Sequence, residues 1–499
     1  MPAFSLEPEQ AAWCAELRTL AAERLRPLAE KGEPGHVNRP LVAELGRLGL
    51  LDRLFTSGAL DLCLMRESLA YACTEAETAL ALQGLGAHPV HAHGTPEQRD
   101  RWLPGVREGS VVAAFALSEP GAGSDAAALS LSAEPEEAVV GGAPDGGVDD
   151  APSAHLATQG GGSVGGAGGL PGGGASVGGV GDVPRGGASV GEPGGPSRGG
   201  ASVGEPGGPS RGGPSVGEPG GPSRGGPSMG EPGVSSRVGA SVARPGVVPT
   251  GASLSAEADG SRRWRLSGEK CWISNAPEAD FYTVFARTTP DAGARGVTAF
   301  LVPADRPGLT GTGLDMLSPH PIGALHFDAV PVTADDVLGE VDRGFRVAMG
   351  TLNLFRPSVG AFAVGMAQAA LDAALVHTAQ RDAFGGKLRD LQAVAHQIAE
   401  MALRTEAARL MVYAAATAYD DGADGVPRRA AMAKLLATET AQYVVDAAVQ
   451  LHGARALRRG HLLEHLYREV RAPRVYEGAS EVQRGIIAKE LYATLEARP

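Results

Sequence analysis

The stretch Arg474-Val-Tyr-Glu-Gly-Ala-Ser-Glu-Val-Gln-Arg484 sets one carboxylate, Glu477, on a short linker between two amphipathic helical patterns. Apolar and aromatic residues precede it, and the small pair Gly478-Ala479 follows. A carboxylate in such a place is a candidate general base, because partial desolvation raises its pKa toward working pH. A helix cap or a solvated charge would read the same way. Three further segments bear on the choice. In Phe115-Ala-Leu-Ser-Glu-Pro-Gly-Ala-Gly-Ser-Asp125 a strand-like run, Val111 to Leu117, breaks into a Gly-rich turn. Such a turn offers backbone N–H groups and Ser hydroxyls to a phosphate or a polar ring edge, although an ordinary hairpin turn has the same composition. In Gly268-Glu-Lys-Cys-Trp-Ile-Ser-Asn275, alternation about Ile273 puts Trp272 and Ser274 on one side. An indole beside a hydroxyl suits a flat heteroaromatic cofactor; a core Trp is the plainer reading. Arg381-Asp-Ala-Phe-Gly-Gly-Lys-Leu-Arg-Asp-Leu-Gln392 is a basic, aromatic turn between two long helices, or simply their connection.

The chain has 499 residues, enough for two or three domains with a sizeable core. Its net charge of −13 argues against a general nucleic-acid or membrane binder and leaves room for local basic sites. The four cysteines (Cys14, Cys63, Cys73, Cys271) lack metal-ligand or framework spacing, which fits a reducing cytoplasm. Residues 1–30 are charged throughout, so no signal peptide is expected. No uninterrupted apolar run of membrane-spanning length is read from the sequence.

Residues 1–110 carry helical spacing: Leu17, Leu20, Ala21, Leu25 and Leu28, then Leu60 to Tyr71 and Ala76 to Val90, with a helix start at Gly94-Thr-Pro-Glu-Gln98. Residues 111–134 and 251–340 form a β region, with strands at Val111 to Leu117, Trp264 to Ser274, Tyr282 to Ala286, Val297 to Val302 and Leu325 to Val330. Residues 341–499 return to long helices. Leu391, Val394, Ala395, Ile398 and Ala402 make one stripe. Met432, Leu435, Leu436, Val445 and Val449 lie on another helix, opened by Pro427. Helices, then strands, then a helical bundle is an α+β order.

Residues 135–250 stand apart, dominated by Gly, Pro, Ser and Val. A 13-residue repeat holds Arg185, Arg198, Arg211, Arg224 and Arg237 in register. The segment cannot bury enough apolar surface to offset its ordering entropy, so disorder is expected. Ser130-Leu-Ser-Ala-Glu134 before it recurs as Ser253-Leu-Ser-Ala-Glu257 at its end. This reads as an expansion inside a β-hairpin loop that duplicated its own edge, inert unless it recruits a partner. Removing Pro135 to Glu257 would rejoin Glu134 to Ala258.

In their order, the four chemistry-bearing segments resemble the acyl-CoA dehydrogenase family, over residues 1–134 and 251–499. Ser-Glu-Pro-Gly-Ala-Gly-Ser-Asp followed by Tyr-Glu-Gly-(small)-Ser-Glu-x-Gln-Arg is the specific pair. The resemblance implies an N-terminal helical domain, a middle β-sandwich or barrel domain and a C-terminal four-helix bundle. It implies FAD as cofactor, an acyl-CoA substrate, an electron-transfer flavoprotein as electron acceptor and a homo-oligomer, most simply a tetramer.

The implied chemistry is α,β-dehydrogenation: a base takes the α proton and a hydride leaves the β carbon for flavin N5. The thioester proton is weakly acidic, so hydrogen bonds to the carbonyl oxygen must stabilise the enolate. Glu477 aligns with the family's usual base and Gly478 with the substrate-contacting glycine. Some branches carry the base on an earlier helix, at the position of Phe355 here, which cannot take a proton. Arg356 and Asn353 would lie near the base and the pantetheine arm; an Arg356 ion pair that orders its helix is the bland reading. For FAD, Phe115, Leu117 and Ser118 would follow the pyrimidine edge, with Ser124 near the pyrophosphate and substrate. Trp272 would stack by the isoalloxazine and Ser274 would bond near N5. Ala479, where Thr is common, and Glu481 continue that site. Arg381, Phe384 and Gln392, with Gln450 and Gly453, resemble positions reaching the adenine half of FAD in a neighbouring subunit. The family commonly shows Gly-Gly-x-Gly where this chain has Gly453-Ala-Arg-Ala456, so added methyl groups limit close backbone approach. Flavin monooxygenases of the same fold generally lack the linker base. A non-catalytic acyl-thioester or scaffold protein would not need Glu477, Trp272 and Ser274 together.

Two decoys remain. His461-Leu-Leu-Glu-His465 matches H-x-x-E-H but shows no third ligand, so no metal is expected. His88, His91 and His93 crowd a helix end and read as surface histidines.

Overall fold

The computed structural model of the protein describes residues 6–136 and 262–496. Its first part is helical. α1 (Pro8–Leu20) runs through a π turn (Ala21–Leu25) into α2 (Arg26–Ala29), followed by α3 (Arg39–Arg47), α4 (Leu50–Thr56), α5 (Ala59–Ala72), α6 (Thr74–His93) and α7 (Pro96–Glu108). The expected start of α7 is a capping box: Thr95 Oγ1 accepts from Gln98 N at 3.2 Å and Gln98 Oε1 accepts from Thr95 N at 2.8 Å. The leucines of α1 and α3–α7 join one apolar core with Phe281, Phe285 and Phe355.

Seven strands follow: β1 (Ala113–Ala116), β2 (Ser132–Pro135), β3 (Arg263–Ser274), β4 (Phe281–Arg287), β5 (Val297–Pro303), β6 (Leu309–Gly313) and β7 (Ile322–Thr333). They hydrogen-bond in the order β1-β4-β2-β3-β7-β6, with β5 also on β4. β4 and β5 are buried almost throughout, which is why they read as unbroken apolar runs. β6, Leu-Thr-Gly-Thr-Gly, is mostly exposed and has no apolar period to betray it. β2 and β3 pair antiparallel, from Ser132↔Ser267 to Pro135↔Trp264. Glu136 N then donates to Arg263 O at 2.9 Å, and Arg265 pairs with Glu136 at 2.8 Å. The two sides of the repeat segment are therefore the arms of one hairpin. The expected disorder of residues 135–250 and the duplicated Ser253–Glu257 edge lie outside the described residues, apart from Pro135 and Glu136.

The C-terminal part packs α8 (Gly344–Gln380), α9 (Gln392–Asp420) and α10 (Val426–His452) against one another, with α12 (Ser480–Glu496) on α10 and the short α11 (Leu462–Glu469) at one end. Between α8 and α9 stands a small hairpin of β8 (Asp382–Ala383) and β9 (Gly386–Lys387). Pro427 lies in the first turn of α10, as its sequence position implies.

Three sequence expectations change here. The stripe Leu391, Val394, Ala395, Ile398 and Ala402 is not a core stripe: it stays exposed or half-buried, and Met401, Thr405, Ala408 and Val412 point inward instead. On α10, too, alanines face the core (Ala430, Ala433, Ala437, Ala441, Ala448) while Met432, Leu435 and Leu436 lie at its margin. Close helix approach selects small residues: a Cβ on Gly360 of α8 would come within 2.7 Å of Val412 Cγ2 on α9. Second, α8 does contain a window apolar and long enough to cross a membrane, but 72% of that window is buried in the protein, as befits the helix at the centre of the bundle. Third, His88 is not a surface histidine. Its ring meets Phe355 edge-on at 6.1 Å, and burial, with His91 and His93 nearby, pulls its pKa down to about 4. His91 is half-buried against Phe55, and only His93 is exposed.

Candidate active site

The linker before α12 holds Glu477 and Gly478 with φ of 50° and 92°. Positive φ is strained for a glutamate, so something must fix it, and the surrounding bonds do. Gln483 Nε2 donates to Glu477 O (3.1 Å) and Gly478 O (3.0 Å). Lys434 Nζ donates to Gly478 O at 2.7 Å, and Arg356 Nε reaches Glu477 O at 3.4 Å. A φ of 92° favours glycine at 478, and a Cβ there would sit 2.4 Å from Gln483 Nε2, displacing the amide that holds both carbonyls. Two residues further, Ser480 donates to Glu439 (2.6 Å), which also pairs with Arg474 (2.9 Å), pinning both ends of the turn to α10.

With its main chain held, the Glu477 carboxyl is left free. Its Oε2 is buried and has no hydrogen-bond partner. Burial raises its pKa, and Arg66, Lys434 and Arg356 pull it back. Phe355, on the same α8 turn as Arg356, is fully buried against Gly84 of α6. Arg356 Nη1 also meets Asn353 Oδ1 at 3.3 Å, so Asn353, Arg356, Glu477 and Gly478 form one cluster.

A second cluster joins the end of β1 to β3. Cys271 N donates to Ser118 O at 3.0 Å, which sets Ser118 beside Trp272. Lys270, fully buried, donates to Leu117 O (3.0 Å) and Glu119 Oε1 (2.8 Å). Glu119 also accepts from Ser130 N, Ser130 Oγ and Leu131 N. Burial pulls Lys270 down to about 8, countered by Glu119. Burial raises Glu119, but Lys270 and the N–H donors outweigh it and hold the carboxyl low. The register shift between Lys270 and Ile273 turns Trp272 into positive φ (57°), so Ile273 is buried while Trp272 is 49% exposed. Phe115 instead packs on Phe285, ring centroids 4.9 Å apart. Ser124 is exposed beyond Gly121 and Gly123, where an added Cβ would meet nothing within 4 Å; the glycines leave an open ledge.

The third cluster is distant. Phe384 and Gly385 (φ 56° and 85°) make the tip of the β8–β9 hairpin, and Phe384 is 89% exposed. The stacked rings of His377 and His452, 4.1 Å apart, join the ends of α8 and α10, so Arg381 and Phe384 share this end with Gln450 and Gly453. Along one helix, Arg356 to Arg381 spans roughly 37 Å at 1.5 Å per residue.

Comparison with known proteins now bears on these clusters. The N-terminal, middle and C-terminal domains of acyl-CoA dehydrogenase match residues 7–110, 229–330 and 342–492. The chain belongs to the acyl-CoA dehydrogenase family. It is 38% identical over 239 residues to the probable acyl-CoA dehydrogenase FadE25 of Mycobacterium tuberculosis, covering 47% of this chain and 61% of that protein. It is 41% identical over 243 residues to the mitochondrial short-chain specific acyl-CoA dehydrogenase of Bos taurus, covering 48% and 58%. The chain thus spans about three-fifths of the length of these relatives. Butyryl-CoA dehydrogenase from Megasphaera elsdenii shares the fold, with a TM-score of 0.69 at 24% identity over 98% of this chain and 99% of that one.

The acyl-CoA dehydrogenase family is FAD-dependent. The residues here fit such a group: an exposed indole on a partly buried strand, an open glycine ledge and an unpartnered buried carboxyl oxygen. The departure at Gly453-Ala-Arg-Ala456 strains nothing within the chain. Only Gly453 has positive φ (64°), while Ala454 and Ala456 do not need it. Ala479 accepts from Gln483 N at 3.0 Å, Glu481 is exposed and pairs with Arg484, and Gln392 is exposed at the start of α9. The H-x-x-E-H string is structural: His461 caps α11 through Leu463 N, and His465 bonds Thr74. No group of three metal-ligating side chains occurs among the described residues.

Sequence reading missed Arg66, Glu77, Lys434, Glu439 and the Lys270–Glu119 pair. Each is a charge whose partner lies on another element of the fold, and only its burial there distinguishes it from a solvated side chain.

Proposed function

We propose that this protein is an FAD-dependent acyl-CoA dehydrogenase with Glu477 as the base. The observation carrying this reading is a carboxyl whose backbone is fixed by Gln483, Lys434 and Arg356 and whose Oε2 is buried without a partner. An acid so placed is pre-organised to take a proton and needs no rearrangement. Burial lifts its pKa toward that of a useful base, and three nearby cations work against that rise. Bound FAD supplies the hydride acceptor for the β carbon. Asn353 and Arg356 hold the thioester arm beside Glu477, and the backbone N–H of Glu477 faces the carbonyl oxygen. Trp272, Ser274, Ser118 and Ser124 seat the flavin, which places Leu117, Ala479 and Glu481 at its margin.

The hairpin carrying Arg381 and Phe384 serves a neighbouring subunit. Its distance along α8 from Arg356 separates it from the base of its own chain, and an aromatic ring 89% exposed at a hairpin tip calls for cover. With the uncovered stripe on α9, this supports a homo-oligomer, a tetramer built from dimers. Reduced flavin would pass electrons to an electron-transfer flavoprotein, and four unbridged cysteines accord with a cytoplasmic setting. The test is direct. Purified protein should be yellow and bleach anaerobically on addition of an acyl-CoA; colourless protein, or colour indifferent to every acyl-CoA, contradicts the reading.

A further inference from the structure

Two buried charges near the base make a pair of their own, and one of them, Arg66, also acts on the Glu477 carboxyl. Arg66 on α5 is 3% exposed and Glu77 on α6 is fully buried. Arg66 Nε bonds Glu77 Oε1, and its Nη1 donates to Ser358 Oγ at 2.7 Å. Ser358 donates in turn to Phe355 O at 2.7 Å. Glu77 and Gly84 are seven residues apart, hence on one face of α6, and Gly84 is the seat of the Phe355 ring: a Cβ there would lie 2.8 Å from Phe355 Cζ. That face of α6 therefore runs along α8 past Phe355 and Ser358. Arg66 bonds Ser358, two residues beyond the Arg356 that reaches Glu477 O, and it acts on both Tyr476 and Glu477, so the pair stands behind the base on α8, with the guanidinium 6.0 Å from the Phe362 ring.

If the α carbon lies at the Glu477 carboxyl and the thioester arm at Asn353 and Arg356, the acyl tail must run inward. There it meets this charged pair, not an apolar tunnel. An alkyl chain cannot displace a buried ion pair, because separating the partners leaves two uncompensated charges, while each added methylene returns little in exchange. We propose that the Arg66–Glu77 pair closes the acyl end of the site and makes this protein selective for short acyl thioesters, butyryl-sized rather than octanoyl-sized. The inference rests on the dehydrogenase reading and names its substrate class.

The experiment compares anaerobic flavin reduction by butyryl-, hexanoyl- and octanoyl-CoA in the holoenzyme and in an Arg66→Met/Glu77→Gln variant, which removes both charges at similar volume. Wild-type protein should favour butyryl over octanoyl by more than about tenfold in kcat/KM, the low end of what a single methylene decides in a fitted pocket. The double variant should lower that ratio at least tenfold, chiefly through KM for octanoyl-CoA, with flavin content unchanged. Wild-type protein that uses octanoyl-CoA as well as butyryl-CoA overturns the proposal, and so does a flavin-loaded variant with an unaltered ratio. Should the variant lose flavin, the wild-type profile decides alone. Protein bleached by no acyl-CoA is a separate failure, that of the dehydrogenase reading itself.

Discussion

The two sides of the site are built in opposite ways. On the base side the carbonyls of Glu477 and Gly478 each have two donors, a Cβ on Gly478 would meet Gln483, and charged side chains surround the carboxyl. On the ledge side Trp272 is half exposed, and Gly121 and Gly123 face open space. The difference follows from what each side must do. A proton acceptor works through electrostatics, which the chain must assemble and hold by itself. A planar cofactor brings its own surface, so that side needs only rigid support beneath an open face. The support is the Lys270–Glu119 pair, as deeply buried as Arg66–Glu77.

The comparison breaks first at Glu477. The Glu477→Gln variant should keep flavin and fold while flavin reduction by acyl-CoA falls by about 10³-fold or more, near the upper end for loss of a general base. Stopped-flow absorbance would show it, and a near-wild-type rate would remove Glu477 from its role. Next comes the ledge's foundation. Lys270→Met leaves Glu119 buried and uncompensated, so unfolding should become easier by about 3–5 kcal/mol, with loss of flavin. Denaturant titration measures the first and absorbance the second; a variant as stable as wild type would show that the ledge needs no such anchor. Phe384→Ala should leave chain stability unchanged yet weaken flavin retention about tenfold and shift light scattering toward smaller species. A monomeric wild-type protein that retains flavin would contradict the neighbour contact.

A smaller effect tests the charged side through pH. Burial lowers His320, but Glu469, 2.6 Å away, outweighs it and raises the pKa. A raised histidine contributes stability that is fully present below its unfolded pKa of about 6.5 and is lost as pH climbs through the folded value. Thermal midpoints measured upward from pH 6 should therefore fall more steeply for wild type than for His320→Gln. Equal slopes would mean that the pair is uncoupled from folding. The smallest effect concerns the hairpin arms. Replacing residues 137–261 by an Asn-Gly turn should leave the thermal midpoint equal or higher, since a shorter loop costs less entropy to close, with flavin content unchanged. Loss of flavin would make that segment part of the site.

Much of this was legible in the sequence, for a physical reason. Glu477-Gly478, Trp272-Ile273-Ser274 and the Ser118–Ser124 turn are local strings whose backbone geometry their own residues dictate. The central strands announced themselves as apolar runs. Arg66, Glu77 and Lys434 were illegible as a set, because a charge's partner is chosen by tertiary packing and each reads alone as a solvated side chain. The α9 stripe misled for a related reason. Leu and Val carry the periodic signal, but the bundle packs so closely that alanines fill its interior.

The β2–β3 hairpin has a consequence at the level of the gene. Its arms are zipped by their own backbone bonds through Glu136 and Arg263, and none of those bonds is made by a residue of the 13-residue units between them. Tandem repeats gain and lose copies readily when DNA is copied. In-frame slippage here would change the length of the polypeptide while the bonds between the two arms stay in register.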